Sequence, residues 1–312
     1  MTYMDITKKK KAVAGLSILS NVFLSVLKIA VGIISGSISV ISEAIHSMSD
    51  CVASFITLFS VIKSSKPADI DHPFGHGRYE DMSGFIEGLL IVFASFYIIY
   101  EATKKIILNT HIETENNLGI IVMLIAVIMN VIVSMLLFKV ARESNSISLY
   151  ADGEHLRTDI YSSFGVLSGL ILIKVTGYSV LDPIVAILVA MFIYKTGYSI
   201  SKKAWMNLLD HSLPDEDIEK IKNIIGKYSE NVTLKPDSIK ARKTGPTDDI
   251  DFVLQFKHDT SICECHKICD EIEAKIGQVF LNSTISIHLE PVCYCKTCME
   301  KCSKLTCNQI PG

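Results

Sequence analysis

Apolar runs long enough to cross a bilayer recur six times in the first two hundred positions, at about 12–34, 38–62, 82–108, 118–140, 155–175 and 180–200. Roughly 20 helical residues span the hydrocarbon core, so each run predicts one transmembrane helix. After residue 207 the pattern shortens. LPDEDIEKIKNII reads as an amphipathic helix with Ile218, Ile221, Ile224 and Ile225 on one side. Two strand-like runs follow, at about 234–243 and 250–258, the second alternating Phe252, Leu254 and Phe256 with polar neighbours. A helix at about 262–277 and a strand at 283–290 complete the region. Helix, strand, strand, helix, strand predicts an α+β layer. The expected organisation is therefore a six-helix transmembrane domain at 1–210, a cytoplasmic α+β domain at 211–292 and a tail at 293–312. In that tail Cys293, Cys295, Cys298, Cys302 and Cys307 stand among Lys, Thr and Ser, with too few apolar residues to fold alone.

Composition agrees with a membrane protein. Of 312 residues 49% are hydrophobic, and the mean hydropathy is +0.37. Basic residues set the orientation. Lys8 to Lys11, Lys63, Lys66, Arg78, Lys139, Arg142, Lys202 and Lys203 alternate with sparser connections at Gly36 to Ser37 and Thr176 to Ser179. Lys104 and Lys105 run against this alternation. Six spans then place both termini in the cytoplasm, with the protein multi-pass in the cell membrane. Lys8 to Lys11 lead straight into a full-length span, so no cleavable signal peptide is expected. A net charge of -3 leaves no footprint for nucleic acid.

Polar residues inside the spans carry the chemistry. Glu43, His46 and Asp50 in the second span repeat the spacing of Asp152, His155 and Asp159 in the fifth: acid, two residues, His, three residues, Asp. His and Asp four apart point the same way from a helix. The stripe Glu43, His46, Ser47, Asp50, Ser54 and Thr57 cannot face lipid. A charged group at mid-span costs roughly 2.5–3.5 kcal/mol on insertion scales and marks an interior site or pathway. Asn21, Lys28, Glu87 and Asn130 stand without a motif and read as packing or interhelical hydrogen-bonding groups. Gly32 with Gly36, and Gly165 with Gly169, have the four-residue spacing of close helix contacts. Between spans two and three, KPADIDHPFGHGRYED offers Asp69, His72 and His76 in a short loop punctuated by Pro73, Gly75 and Gly77.

Two imidazoles and two carboxylates on facing helices make a four-coordinate site that suits zinc. At about 1.5 Å per residue both pairs fall near mid-membrane, where a transporter places its ion site. A metal must displace the imidazole proton, which titrates near pH 6.5, so metal and proton compete for one site.

SEAIHSMSD, HPFGHGRYE, ADGEHLRTD and LLDHSLPDEDIEKI together resemble the cation diffusion facilitator transporters, and the resemblance runs to about residue 292. It implies a homodimeric, non-enzymatic exporter of divalent transition metal, working by alternating access in exchange for protons. Its cytoplasmic domain would be ferredoxin-like and metallochaperone-like, binding metal and joining the protomers. By position, His46, Asp50, His155 and Asp159 would form the transport site, Asp69, His72 and His76 a loop site, and Arg78 with Asp210 an inter-subunit charge pair. His266, His288 and Glu290 match a cytoplasmic metal site, whereas Asp237 and Val253 stand where some members have His. Cys263, Cys265 and Cys269 surround His266 and, with tail ligands Cys293, Cys295, Cys298 and Cys302, are candidate substitutes, because soft thiolates select zinc, copper(I) or cadmium. Zinc is the expected cargo and a candidate regulatory ligand, with protons as counter-ion. A carrier preferring iron(II), manganese or cadmium stays open, as does a membrane-bound sensor that binds metal without moving it. A membrane metalloenzyme would need an open coordination position and a base, and nine dispersed histidines fit it poorly.

Overall fold

The computed structural model describes residues 3–35, 38–108, 117–176, 181–230, 232–257, 260–280 and 282–292. Six long helices come first: α1 (Tyr3–Ser35), α2 (Ile38–Ser64), α3 (Arg78–Leu108), α4 (Asn117–Ser144), α5 (Ile147–Thr176) and α6 (Leu181–Leu208). Each predicted span is present, and most run further than the apolar stretch that announced them. α5 begins at Ile147, two turns before the hydrophobic run, and α3 begins at Arg78. Their polar first turns satisfy backbone bonds as well as apolar ones do, so hydropathy understates helix length. By length and composition α1, α3, α4 and α6 contain segments able to cross a membrane.

The helices close into a ring in which α1 packs on α2 and α4, α4 on α5, α5 on α6, α6 on α3 and α3 on α2. α5 also touches α2 and α3. Accordingly Ile147 to Leu149 and Ala151 to Leu156 are buried without interruption around the helix. Leu149 and Leu156, seven residues apart, join Ala14, Val61, Val133 and Leu137 in one apolar cluster. Ala151 joins Ile91, Ile193 and Ile200 in another.

Small residues set the closest helix approach at α3 and α6. A Cβ on Gly197 would stand 2.9 Å from Ile91 Cγ2 and 3.0 Å from the Gly88 carbonyl oxygen, so only glycine fits this crossing. The pairs expected to do this, Gly32 with Gly36 and Gly165 with Gly169, lie outside the residues whose packing is described.

The C-terminal unit is built from α7 (Asp215–Gly226), β1 (Val232–Leu234), β2 (Lys240–Thr244), β3 (Thr247–Phe256), α8 (Ile262–Val279) and β4 (Ser283–Pro291). The predicted strand at 234–243 is in fact two strands. Pro236 cannot donate to a ladder, and Asp237 takes φ 55°, so the chain turns there. β3 is the centre: β1 pairs with it antiparallel from Val232↔Phe256, and β4 runs parallel to it from Asp248↔Ser283 to Phe256↔Pro291. Ile250, Phe252, Leu254 and Phe256 alternate onto one face, against Ile221 and Ile225 of α7 and Ile272 and Ile276 of α8. The α8 start is fixed by a capping box, in which Ser261 Oγ accepts from the Glu264 amide and the Glu264 carboxylate accepts from the Ser261 amide.

Candidate metal transport site

Asp50 lies in the middle of α2 and His155 in the buried start of α5. His155 Nε2 is 3.2 Å from Asp50 Oδ1, and the two residues are 7% and 6% exposed. Asp159, one turn beyond His155 and half-buried, brings a third donor. The ligand atoms of Asp50, His155 and Asp159 all lie within 4.8 Å of one another. His46 is one turn before Asp50 on α2, and its side chain falls outside the described residues. Two carboxylates and an imidazole at this spacing can share one small cation. Nδ1 of His155 is buried and has no hydrogen-bond partner among the described residues.

Further buried carboxylates continue the polar interior. Asp152, one turn before His155, accepts from Ser54 Oγ at 2.9 Å, and Ser54 in turn accepts from Asn21 Nδ2 at 2.8 Å. Glu87 accepts from Thr57 and from Ser83, and Ser83 Oγ lies 2.9 Å from Ser148 Oγ. Glu80 accepts from Lys10, Ser64 and Ser146. All three acids are wholly buried. Glu87 is the interhelical hydrogen-bonding group expected, and Asn21, expected to serve packing, donates across to Ser54 of α2. Asn130 differs, since its carbonyl oxygen has no partner among the described residues. Glu80 and Lys10 were not legible as a pair: Lys10 reads as one of four topology-setting lysines, yet it is 5% exposed. Serines or threonine at 54, 57, 60 and 64 of α2, three or four apart, were the available signal. Cys51, next to Asp50, turns away toward Ser25 of α1.

The loop between α2 and α3 folds around Asp69. Its carboxylate accepts from the His72 amide at 2.7 Å and lies 3.4 Å from His76 Nε2, while the His72 and His76 rings are 4.4 Å apart. The turn uses Gly75 at φ 82°, a conformation glycine adopts without strain. Donor atoms of Asp69, His72 and His76 again fall within 4.8 Å of one another. The His72 amide holds the Asp69 carboxyl below the usual carboxylate range, with further help from the two imidazoles. His76 is buried and its Nδ1 has no partner among the described residues, whereas Asp69 and His72 are exposed.

The C-terminal candidates do not converge in this way. His266, on the exposed side of α8, lies 3.5 Å from Asp270. His288 is on β4, next to Val253 in the register and on the face away from the helices. Glu290 is taken up by Lys235 at 2.9 and 3.0 Å, which holds its carboxyl below the ordinary range. Asp237 is exposed in the turn between β1 and β2. Cys265 and Cys269, candidate substitutes around His266, instead point into the core, because four-residue spacing puts them on the buried stripe of α8. Burial pushes the Cys269 thiol up to about 11 and raises Cys265 as well, which disfavours the thiolate a metal needs. Cys293, Cys295, Cys298 and Cys302 lie outside the described residues. Arg78 donates to the Leu208 carbonyl oxygen at 2.9 Å, and Asp210 accepts from Arg242 at 3.2 Å.

Residues 15–209 match the cation efflux transmembrane domain, and residues 213–292 match the cytoplasmic domain of cation efflux proteins. The chain is a cation diffusion facilitator. It is similar over most of its length to other members. An uncharacterized transporter of Methanocaldococcus jannaschii is 33% identical over 89% of this chain and 96% of its own. An uncharacterized transporter of Synechocystis is 30% identical over 85% of each chain. The manganese efflux system protein MneP of Bacillus subtilis is 30% identical over 90% of this chain and 96% of its own. This cation diffusion facilitator is thus a multi-pass membrane transporter for the efflux of divalent cations, and not an enzyme.

Proposed function

We propose that this facilitator exports zinc from the cytoplasm in exchange for protons, as a homodimer with both termini in the cytoplasm. The observation that carries the proposal is the buried convergence of Asp50, His155 and Asp159. His46 completes the site as a second imidazole, one turn from Asp50. A pair of imidazoles with a pair of carboxylates suits zinc better than the all-oxygen sets preferred by manganese or magnesium. The similarity to the manganese efflux system protein of Bacillus subtilis favours manganese as a second reading. The histidine donors weigh against it.

Coupling follows from the donors themselves. Neutral imidazole and ionised carboxylates bind the metal, whereas protons on the same groups expel it. If only metal-loaded and proton-loaded forms change their facing, each outward passage of metal returns protons. The loop site of Asp69, His72 and His76 is then a second metal station outside the span, and Arg78 with Asp210 links the protomers.

The test is uptake into proteoliposomes under an imposed proton gradient, with zinc, cadmium, manganese and iron(II), for the wild type and Asp159→Ala. Zinc flux that requires the gradient and is lost in the variant is expected. Manganese flux exceeding zinc flux would overturn the cargo, flux indifferent to a collapsed gradient would overturn the coupling, and binding without flux would leave a sensor.

A further inference from the structure

Between α5 and α6, at the end of the bundle where α5 starts and α6 finishes, lies a half-open slot of about 420 Å³ whose lining includes Tyr150, Glu154, Arg157, Tyr161, Lys195 and Lys203. It is separate from the transport site. Arg157 follows His155 by two positions, so on a helix it points about 160° away from it. Tyr150, Arg157, Phe192, Lys195 and Lys203 of its lining are exposed on the surface of the helix bundle.

Its charge is unusual for that location. Three cations meet one acid, Glu154, which is nearly buried and holds Arg157 at 3.1 Å. Lys195 and Lys203 are exposed and have no ion-pair partner among the described residues. Arg157 is fixed between aromatic rings, 5.7 Å from the centre of Phe138 and 5.4 Å from that of Tyr161. A guanidinium held this way offers its remaining N–H donors in a set direction. Arg157 stands two residues inside the apolar run at 155–175 and Lys195 five residues inside the end of the run at 180–200, with Lys203 three residues beyond it, so the cations straddle the boundary between headgroups and acyl chains. Lys195, exposed at that depth, needs an anion of its own. A bilayer supplies one whose phosphate enters such a slot while its acyl chains lie along the exposed rings of Phe192 and Tyr150.

We propose that this slot binds the phosphate headgroup of an anionic phospholipid. A basic pocket between transmembrane helices, lined by aromatic rings, has the chemistry such headgroups require.

The test is native mass spectrometry of the full-length protein in detergent, counting lipid retained on titration with phosphatidylglycerol or phosphatidylcholine. The variants are Lys195→Gln/Lys203→Gln and, as a control on another helix, Lys104→Gln. Both slot lysines are exposed, so the double variant keeps the fold. One saturable phosphatidylglycerol per protomer is expected on wild type and control, with phosphatidylcholine binding without saturation. In the double variant the affinity falls about thirtyfold, the effect of two basic groups near a membrane surface. Inorganic phosphate at the same concentration does not displace the lipid. Equal binding by the double variant, equal saturable binding of phosphatidylcholine, or displacement by inorganic phosphate alone would each overturn the assignment.

Discussion

Replacing Gly197 by alanine sets two known effects against each other. Alanine in a helix interior is favoured over glycine by about 0.8–1.0 kcal/mol. Against this, the added Cβ lies 2.9 and 3.0 Å from Ile91 and 3.0 Å from the Gly88 carbonyl oxygen. The oxygen belongs to the α3 backbone and cannot rotate away, so α3 and α6 must separate by several tenths of an ångström. Overpacking of that kind costs about 1–3 kcal/mol. The steric term wins over most of that range, and a net destabilisation of about 1 kcal/mol is expected. Thermal unfolding of the full chain in detergent would read it as a fall in midpoint, and metal uptake into proteoliposomes would fall with it. Gly277 of α8 is the internal comparison, because a Cβ there meets nothing within 4 Å. Gly277→Ala should stabilise by about 0.5–1 kcal/mol. If Gly197→Ala were as stable as wild type while Gly277→Ala gained its increment, close approach would not be what position 197 requires.

Ser261→Ala removes one half of the capping box and should cost about 1 kcal/mol, seen as faster hydrogen exchange in the first turn of α8. Lys235→Met should return the Glu290 carboxyl to the ordinary range. Because the Lys235 ammonium lowers the folded value, the pair's stabilisation is present above the unfolded pKa of about 4.3 and is lost as pH falls through the folded value. Carbon-detected NMR titration of Glu290 checks this, and an unchanged midpoint in the variant refutes it. Alkylation at neutral pH, followed by peptide mass spectrometry, should label exposed Cys263 at least tenfold faster than buried Cys265 and Cys269. Asp69→Asn should weaken the zinc binding that remains in the Asp159→Ala protein, measured by isothermal titration calorimetry, since the loop donors then carry it.

The convergence of Asp50, His155 and Asp159 was readable because His155 and Asp159 need only a helix to share a face, and insertion cost assigns that face to the interior. The strands were readable where polarity alternated, as in β3, and unreadable where one proline and one left-handed Asp237 broke a run in two. Partnerships across helices were hidden. Nothing in the order of residues joins Lys10 to Glu80, since that contact depends on how α1 and α3 are placed in the ring. Nor does the sequence show that the Glu290 ligand position is held by Lys235, 55 residues earlier. The cysteines around His266 illustrate the remaining gap: proximity along the chain suggested a shared site, whereas helical geometry turned two of them into the core.

The wholly buried acids also constrain how the bundle is made. Asp152 depends on Ser54 of α2, Glu87 on Thr57 of α2, and Glu80 on Lys10 of α1 and Ser146 just before α5. A helix such as α5, released alone into lipid, would expose Asp152, His155 and Asp159 at roughly 2.5–3.5 kcal/mol for each aspartate. Packing against α2 and α4 takes those groups out of lipid, so the residues that handle cations also favour the closing of the bundle.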